Sequence, residues 1–337
     1  MNRSKQAGMA RKTIIVVWLI ALALVSFRLA DAQQHEKLPK IGWLGARPAT
    51  ASSGTGSELL LRELRKLGYV EGNNIAIESR YADNKLDRLP ALADELVRLK
   101  VDVLLTPSTP AALAAKNATR TIPIVFLSVV DPVGVGLVDS LARPGENITG
   151  VTSIAAELAG KRLELLKETI PNLSRVAVLW TPQDPASTPQ WKESQLAARE
   201  LGLQLHSMEV SSAAKYEGAL KEAIRARSAA LAVTQDQLHI SNQKRITDLA
   251  TKHRLPAIYP RTDFVSSGGL MSYGADQAES FSRGASMVDK ILKGAKPADL
   301  PVERPTKFEL AINLKTAKTL GLTIPPVVMM RAEKVIK

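Results

Sequence analysis

Six loops carry the side chains of this 337-residue chain that could do chemistry. They are Gly45 to Ser53, Thr106 to Thr109 and Ser128 to Val133 in the first half, then Trp180 to Ser187, Thr234 to Gln237 and Tyr259 to Asp263. Each follows a short apolar run of the kind that forms a buried strand. In an open parallel sheet, ligands bind beyond the C-terminal ends of strands, where helix N-termini present free N–H groups. The loops offer Ser, Thr, Asp, Gln, Arg and a few aromatics, a mix that orients a small zwitterion or amide. A helix dipole contributes only about 0.3 to 2 kcal/mol toward a carboxylate, so several donors must converge on it.

Reactive chemistry has no comparable support. The run Gly134, Val135, Gly136 lacks the third glycine of a dinucleotide loop, and neither a phosphate-binding Gly-x4-Gly-Lys-Ser/Thr nor a Gly-x-Ser-x-Gly elbow occurs. The four histidines (His35, His206, His239, His253) are scattered without metal-ligand spacing. There is no cysteine, which excludes disulfides, thiolate metal sites, thiol catalysis and lipid attachment through an N-terminal Cys. No enzyme, cofactor or metal is therefore expected. The polar loops also admit a plainer role. Ser108, Thr109 and Asp131 stand where helix caps stand, and Asp131 followed by Pro132 has the N-cap then N1 form. Capping and ligand binding use the same N–H groups, so both remain open for each residue. Trp180 and Tyr259, at strand ends, fit the core rim somewhat better than a cleft wall.

The elements that would position these loops alternate along the chain. Strand-like runs at Ile41 to Gly45, Ile75 to Arg80, Val101 to Leu105 and Ile122 to Leu127 are separated by helical patterns at Gly56 to Leu67, Leu86 to Leu99 and Pro110 to Lys116. The order recurs further on. Strands at Val176 to Trp180, Leu203 to Met208 and Ala229 to Val233 alternate with helices at Ser187 to Leu201, Ala214 to Arg225 and Ser241 to His253. VDVLLT from Val101 parallels AALAVT from Ala229, and IPIVF from Ile122 parallels LPAIY from Leu255. Such alternation implies βαβ units and parallel sheets covered on both faces, arranged as two similar α/β lobes.

The N-terminus bears on location. Arg3, Lys5, Arg11 and Lys12 precede an apolar run from Ile14 to Phe27, and Ala30, Asp31, Ala32 form a small-x-small site. These are the parts of a secretory signal peptide, with cleavage expected after Ala32; the run is too short for a membrane anchor, which takes about 20 apolar residues. Of the formal charge of +12, residues 33–337 keep +8, from 40 bases against 32 acids. The remaining bases are interspersed with acids, as in Arg62, Glu63, Arg65, Lys66, which describes solvated helix faces. An exported chain does not meet the genome, and 4% aromatics are few for nucleic-acid stacking, so no nucleic-acid partner is expected.

Several long strings carry a family resemblance: GYVEGNNIAIESRYAD (68–83), RLPALADELVRLKVDVLL (88–105), TPAALAAKNAT (109–119), IPIVFLSVVDPVGVGLVDSLARPGENITG (122–150), GGLMSYG (268–274) and LGLTIPPVVMMRAEKVIK (320–337). They resemble ABC transporter solute-binding proteins of the tryptophan/tyrosine transport type, over nearly the whole mature chain. The resemblance implies an α/β fold of two Rossmann-like lobes with parallel sheets joined by three crossovers, the type I periplasmic binding protein arrangement. The crossovers are expected near Gly150 to Ser153, Leu270 to Gly274 and Val302 to Thr306. Residues 33–152 plus 275–302 would form the first lobe, and 153–274 plus 303–337 the second.

The function implied is a soluble periplasmic component, acting as a monomer, that gives a small polar solute to an ABC permease in the inner membrane. The solute would be an amino acid, aromatic in some relatives, or a related carboxylate. Ser108 and Thr109 match the carboxylate-binding turn of amino-acid-binding relatives, and Ser128, Asp131 and Pro132 match the family's Asp-Pro-Val-Gly segment. Asp236 is the choice for an amine partner. Arg47, if it faces the cleft, points to an acidic or carboxylate-bearing aromatic ligand, and Trp180 is carried as a possible cleft wall. Two other classes stay in view: a ligand receptor for a membrane sensor, and an exported α/β enzyme.

Overall fold

A computed structural model describes residues 38–49 and 56–337; the signal peptide expected over residues 1–32 lies outside them. Five strands form the first sheet: β1 (Lys40–Gly45), β2 (Ala76–Tyr81), β3 (Val103–Thr106), β4 (Ile124–Val129) and β5 (Ile148–Thr152), in the order β2-β1-β3-β4-β5 and all parallel. Helices α1 (Gly56–Lys66), α2 (Leu89–Arg98) and α3 (Thr109–Ala118) make the connections. β3 to β5 are almost wholly buried, as parallel strands covered on both faces must be. One face is filled by Leu44, Leu104, Ile124 and Phe126 under α2 and α3, the other by Ile41, Trp43, Leu105 and Leu127 under α1.

The second lobe repeats the alternation with α4 (Leu158–Thr169), β6 (Arg175–Trp180), α5 (Ser187–Glu200), β7 (Gln204–Glu209), α6 (Tyr216–Arg225), β8 (Ala230–Val233), α7 (Gln237–Ser241), α8 (Gln243–Lys252), β9 (Ala257–Tyr259), α9 (Thr262–Ser266) and β10 (Met271–Ala275). The chain then leaves as α10 (Gln277–Leu292) and returns as β11 (Phe308–Asn313), α11 (Leu314–Thr319), α12 (Pro326–Met329) and β12 (Lys334–Ile336). Strand order is β12-β11-β10-β9-β8-β6-β7. β10 and β11 pair antiparallel, so this sheet is mixed where a purely parallel one was expected. The excursion through α10 is the reason, because the chain re-enters the sheet from the side at which it left.

One expected helix is different. The helix expected over Ser241 to His253 spans Gln243–Lys252, and a separate short helix, Gln237–Ser241, precedes it, the two meeting at Asn242, where φ is −119° and ψ 24°. Asp236 caps the first of them by accepting the His239 N–H at 2.9 Å.

α10 packs on α1 and β4 of the first lobe through Phe281, Ala285, Val288 and Ile291, which gives this strandless helix its place. The segments that pass between the lobes run side by side. Thr152 N–H donates to Glu303 O at 3.0 Å, Glu303 N–H to Gly150 O at 2.9 Å, and Asp276 N–H to Lys307 O at 3.0 Å. Glu279, in the first turn of α10, staples this bundle by accepting from the backbone N–H groups of Thr306 and Lys307 at 3.0 and 2.9 Å and from Arg283 at 2.7 Å.

Burial alone would raise the Glu279 carboxyl, but the Thr306, Arg283 and Lys307 donors outweigh it and hold the pKa at about 2. A carboxyl depressed on folding stabilises the protein above its unfolded pKa of about 4.3 and loses that contribution as pH falls toward the folded value. Glu279→Gln is therefore expected to melt several degrees below the parent at pH 7, with the gap closing between about pH 4.5 and 2. Thermal melts across that range check it; a gap independent of pH would show that the charge is not what holds the crossing.

Candidate functional site

A pocket opens where the strand ends of the two lobes face each other. The first lobe contributes Arg47 after β1, Tyr81 at the end of β2, Pro107 after β3 and Ser128 in β4. The second contributes Gln237, Ile240 and Arg261, and α10 adds Gln277 and Phe281. Trp43 forms part of the wall while its residue as a whole is only 3% exposed. The lobes touch beside the pocket, where Ser241 Oγ donates to Asn84 Oδ1 at 2.5 Å.

Ser128 reaches the pocket through a break in regularity. The β4–β5 register shifts between Leu127 and Val129, and Ser128 adopts φ +54°, a left-handed conformation that costs a serine energy. Bulges and such strained residues re-aim side chains at functional sites. Thr109 supports the same loop, since its Oγ1 accepts the Val130 N–H at 3.2 Å.

Ser108 is the N-cap residue of α3, in extended conformation, and only 2% exposed, yet its side chain makes no capping bond. Its hydroxyl is without a partner among the described residues. The first N–H groups of α3, those of Thr109 and Ala111, have no intrahelical acceptor, and Pro110 has none to give. Ser108 itself is not among the residues lining the pocket, although its neighbour Pro107 is, so its hydroxyl lies just behind the pocket wall at the positive end of α3. Thr106 Oγ1, two residues earlier and fully buried, is also unpartnered.

The other expected site residues lie elsewhere. Asp131, at φ +45°, accepts the Gly134 N–H at 2.9 Å and lines a second groove with Pro132, Thr188 and Lys192. Trp180 stacks on Trp191, ring centres 5.6 Å apart, and donates its indole N–H to Ser207 Oγ at 2.8 Å, which occupies it in the wall formed by α5 and β7. Tyr259 is packed in the core against Phe264.

Asp236 is 1% exposed and fully engaged. Its Oδ2 accepts from Ser187 Oγ at 2.8 Å and Thr234 Oγ1 at 2.9 Å and lies 2.7 Å from His239 Nδ1. Burial would raise its carboxyl, but His239 and the hydrogen bonds keep it below the usual Asp range. Asp184 is its counterpart: it accepts the N–H groups of Ala186 and Gln237, both at 2.9 Å, and burial together with the Asp236 charge raises it to about 6. Both acids hold the start of α7, Asp184 through the Gln237 N–H and Asp236 as its N-cap through the His239 N–H, and the Ser187 hydroxyl ties Asp236 to the first residue of α5. That geometry gives Asp236 a positioning role, in place of the amine contact expected of it.

Sequence reasoning did not single out Tyr81, Gln237, Arg261, Gln277 or Phe281. Gln237 and Arg261 fall inside two of the six loops, so a signal was present. Gln277 and Phe281 arrive from α10, and only the return of the chain to the first lobe brings them in.

Comparison with known proteins agrees with this geometry. The model of a family described as ABC transporter substrate binding protein matches residues 57–336. A tyrosine-binding protein of Clostridioides difficile strain R20291 is 29% identical over 262 residues, covering 78% of this chain and 75% of that protein. A Streptococcus pneumoniae ABC domain solved with L-Trp superposes with a TM-score of 0.81 at 27% identity, covering 88% of this chain and 99% of that one. A ligand-free, open structure of a substrate-binding protein with adhesive properties from Clostridium difficile, also 27% identical and covering 89% and 99%, gives 0.65.

Proposed function

This chain belongs to the family of ABC transporter substrate-binding proteins, and from that premise we propose that it is the periplasmic solute-binding component of an importer. A small carboxylate-bearing solute, an amino acid or a related acid, sits between the lobes and is delivered to a permease in the inner membrane. The carrying observation is the Ser108 hydroxyl, buried and unpartnered at the N-terminus of α3. A buried polar group without a partner costs about 1 to 3 kcal/mol, and a ligand carboxylate would remove that cost. Arg47 lines the adjoining pocket as a second partner for the carboxylate, and Ser128 lines it beside the rest of the solute. Cleavage of residues 1–32 would release the protein as a soluble monomer.

Thermal melts of residues 33–337 against a panel of amino acids and organic acids test this. At a hundredfold excess over Kd, a ligand that binds only the folded state adds about 2.7 kcal/mol, a rise of several degrees. At least one carboxylate is expected to give that rise saturably. A panel without any shift would overturn the reading.

A further inference from the structure

The pocket contains two arginines and no acid. Arg261 is paired, donating to Asp263 at 2.7 Å and to Gln277 Oε1 at 2.7 Å. Arg47 has no hydrogen bond or ion pair among the described residues, although it is largely withdrawn from water. Burial, with Arg261 adding to it and the Asp263 charge offsetting part of it, lowers its pKa to about 10, so the guanidinium remains charged at neutral pH. A half-buried cation whose only anionic neighbour among the described residues, Asp263, is already paired with Arg261 gains from an anion that reaches it directly. None of the residues lining the pocket is Asp or Glu. Asp263, the acid whose charge reaches Arg47, is paired with Arg261 at 2.7 Å, and the buried acids Asp184 and Asp236 are both engaged at the start of α7. The walls include Trp43, Tyr81 and Phe281.

An α-amino acid brings an ammonium along with its carboxylate. Removing an ammonium from water without an anionic partner costs several kcal/mol, and here two guanidinium groups would repel it as well. An aromatic acid without that ammonium has its carboxylate met by Arg47 together with the Ser108 end of α3 and its ring by the aromatic walls, with no cation of its own to bury. We infer that this pocket selects aromatic monocarboxylates lacking an α-ammonium group over the corresponding amino acids, with Arg47 as the specificity-determining residue. This rests on the solute-binding reading above and names the ligand class.

Matched pairs differing only in the ammonium test it: 3-phenylpropanoate against L-phenylalanine, 3-(4-hydroxyphenyl)propanoate against L-tyrosine, and indole-3-propanoate against L-tryptophan, titrated calorimetrically into residues 33–337. In at least one pair the acid is expected to bind tenfold or more tightly than its amino acid. Arg47→Met should then weaken that acid at least tenfold while leaving the ligand-free melting temperature unchanged or higher, since Arg47 makes no hydrogen bond or ion pair among the described residues that the change would break. Amino acids binding as tightly as the acids, or Arg47→Met binding the acid unchanged, would overturn the inference and leave the solute-binding function standing. Binding by no member of any pair would also overturn it, and the wider melting panel would then decide separately whether the protein binds a solute at all.

Discussion

Ser108→Ala is expected to weaken carboxylate binding by about ten- to a hundredfold while leaving the stability of the ligand-free protein nearly unchanged. The affinity loss follows from removing one hydrogen bond to a charged group, worth about 1.5 to 3 kcal/mol. The small stability effect is the more telling half. An N-cap serine replaced by alanine ordinarily costs about 1 kcal/mol, but Ser108 makes no capping bond, and its hydroxyl is already unpartnered in the folded chain. Paired calorimetric and thermal measurements on the same variant separate the two roles. A capping role would give the opposite pattern, with stability lost and affinity kept.

Gly150→Ala is expected to cost more than about 4 kcal/mol, enough that little folded protein is recovered. Gly150 opposes Phe126 in the β4–β5 ladder, and a Cβ there would lie 2.1 Å from the Phe126 carbonyl oxygen and 2.6 Å from its Cγ. The carbonyl is backbone within a buried sheet and cannot turn aside. Moving β5 instead would break the Gly150 O contact with Glu303 N–H, which binds two crossing segments together. Gly218→Ala is the control: it lies in α6 with open space around its Cβ position, so the change should be neutral or stabilise by up to about 1 kcal/mol. Soluble yield and melting temperature of the two variants check this; a well-folded Gly150→Ala would mean the β4–β5 approach is looser than described.

The parts of the fold that were legible in the sequence are those governed by local pattern. Val103–Thr106 and Ala230–Val233 are continuous buried runs, and such runs between amphipathic helices imply parallel strands. The mixed order of the second sheet was not legible, because the antiparallel pairing of β10 with β11 depends on a distant helix docking on the other lobe. The short helix Gln237–Ser241 went unseen for a related reason: the Asp236 cap that starts it is tied to Ser187, 49 residues away.

The site divides similarly. Ser108 could be located from its loop before a helix, but whether its hydroxyl caps or waits for a ligand depends on a rotamer that sequence does not encode. Arg47 was conditional on facing the cleft, and it lines the pocket. Trp180 had the right strand-end position, yet Trp191 and Ser207 occupy it. Asp236 had the right charge and loop, but its oxygens are taken by Ser187, Thr234 and His239.

The most direct single measurement is a crystal structure of residues 33–337 with the tightest-binding carboxylate from the titrations. The expected result is a carboxylate oxygen within hydrogen-bonding distance of Ser108 Oγ or the Arg47 guanidinium, with the remainder of the molecule against Trp43, Tyr81 and Phe281. A ligand seated in the groove beside Asp131, Thr188 and Lys192, with Ser108 Oγ still unpartnered and Arg47 still without an anion, would contradict it.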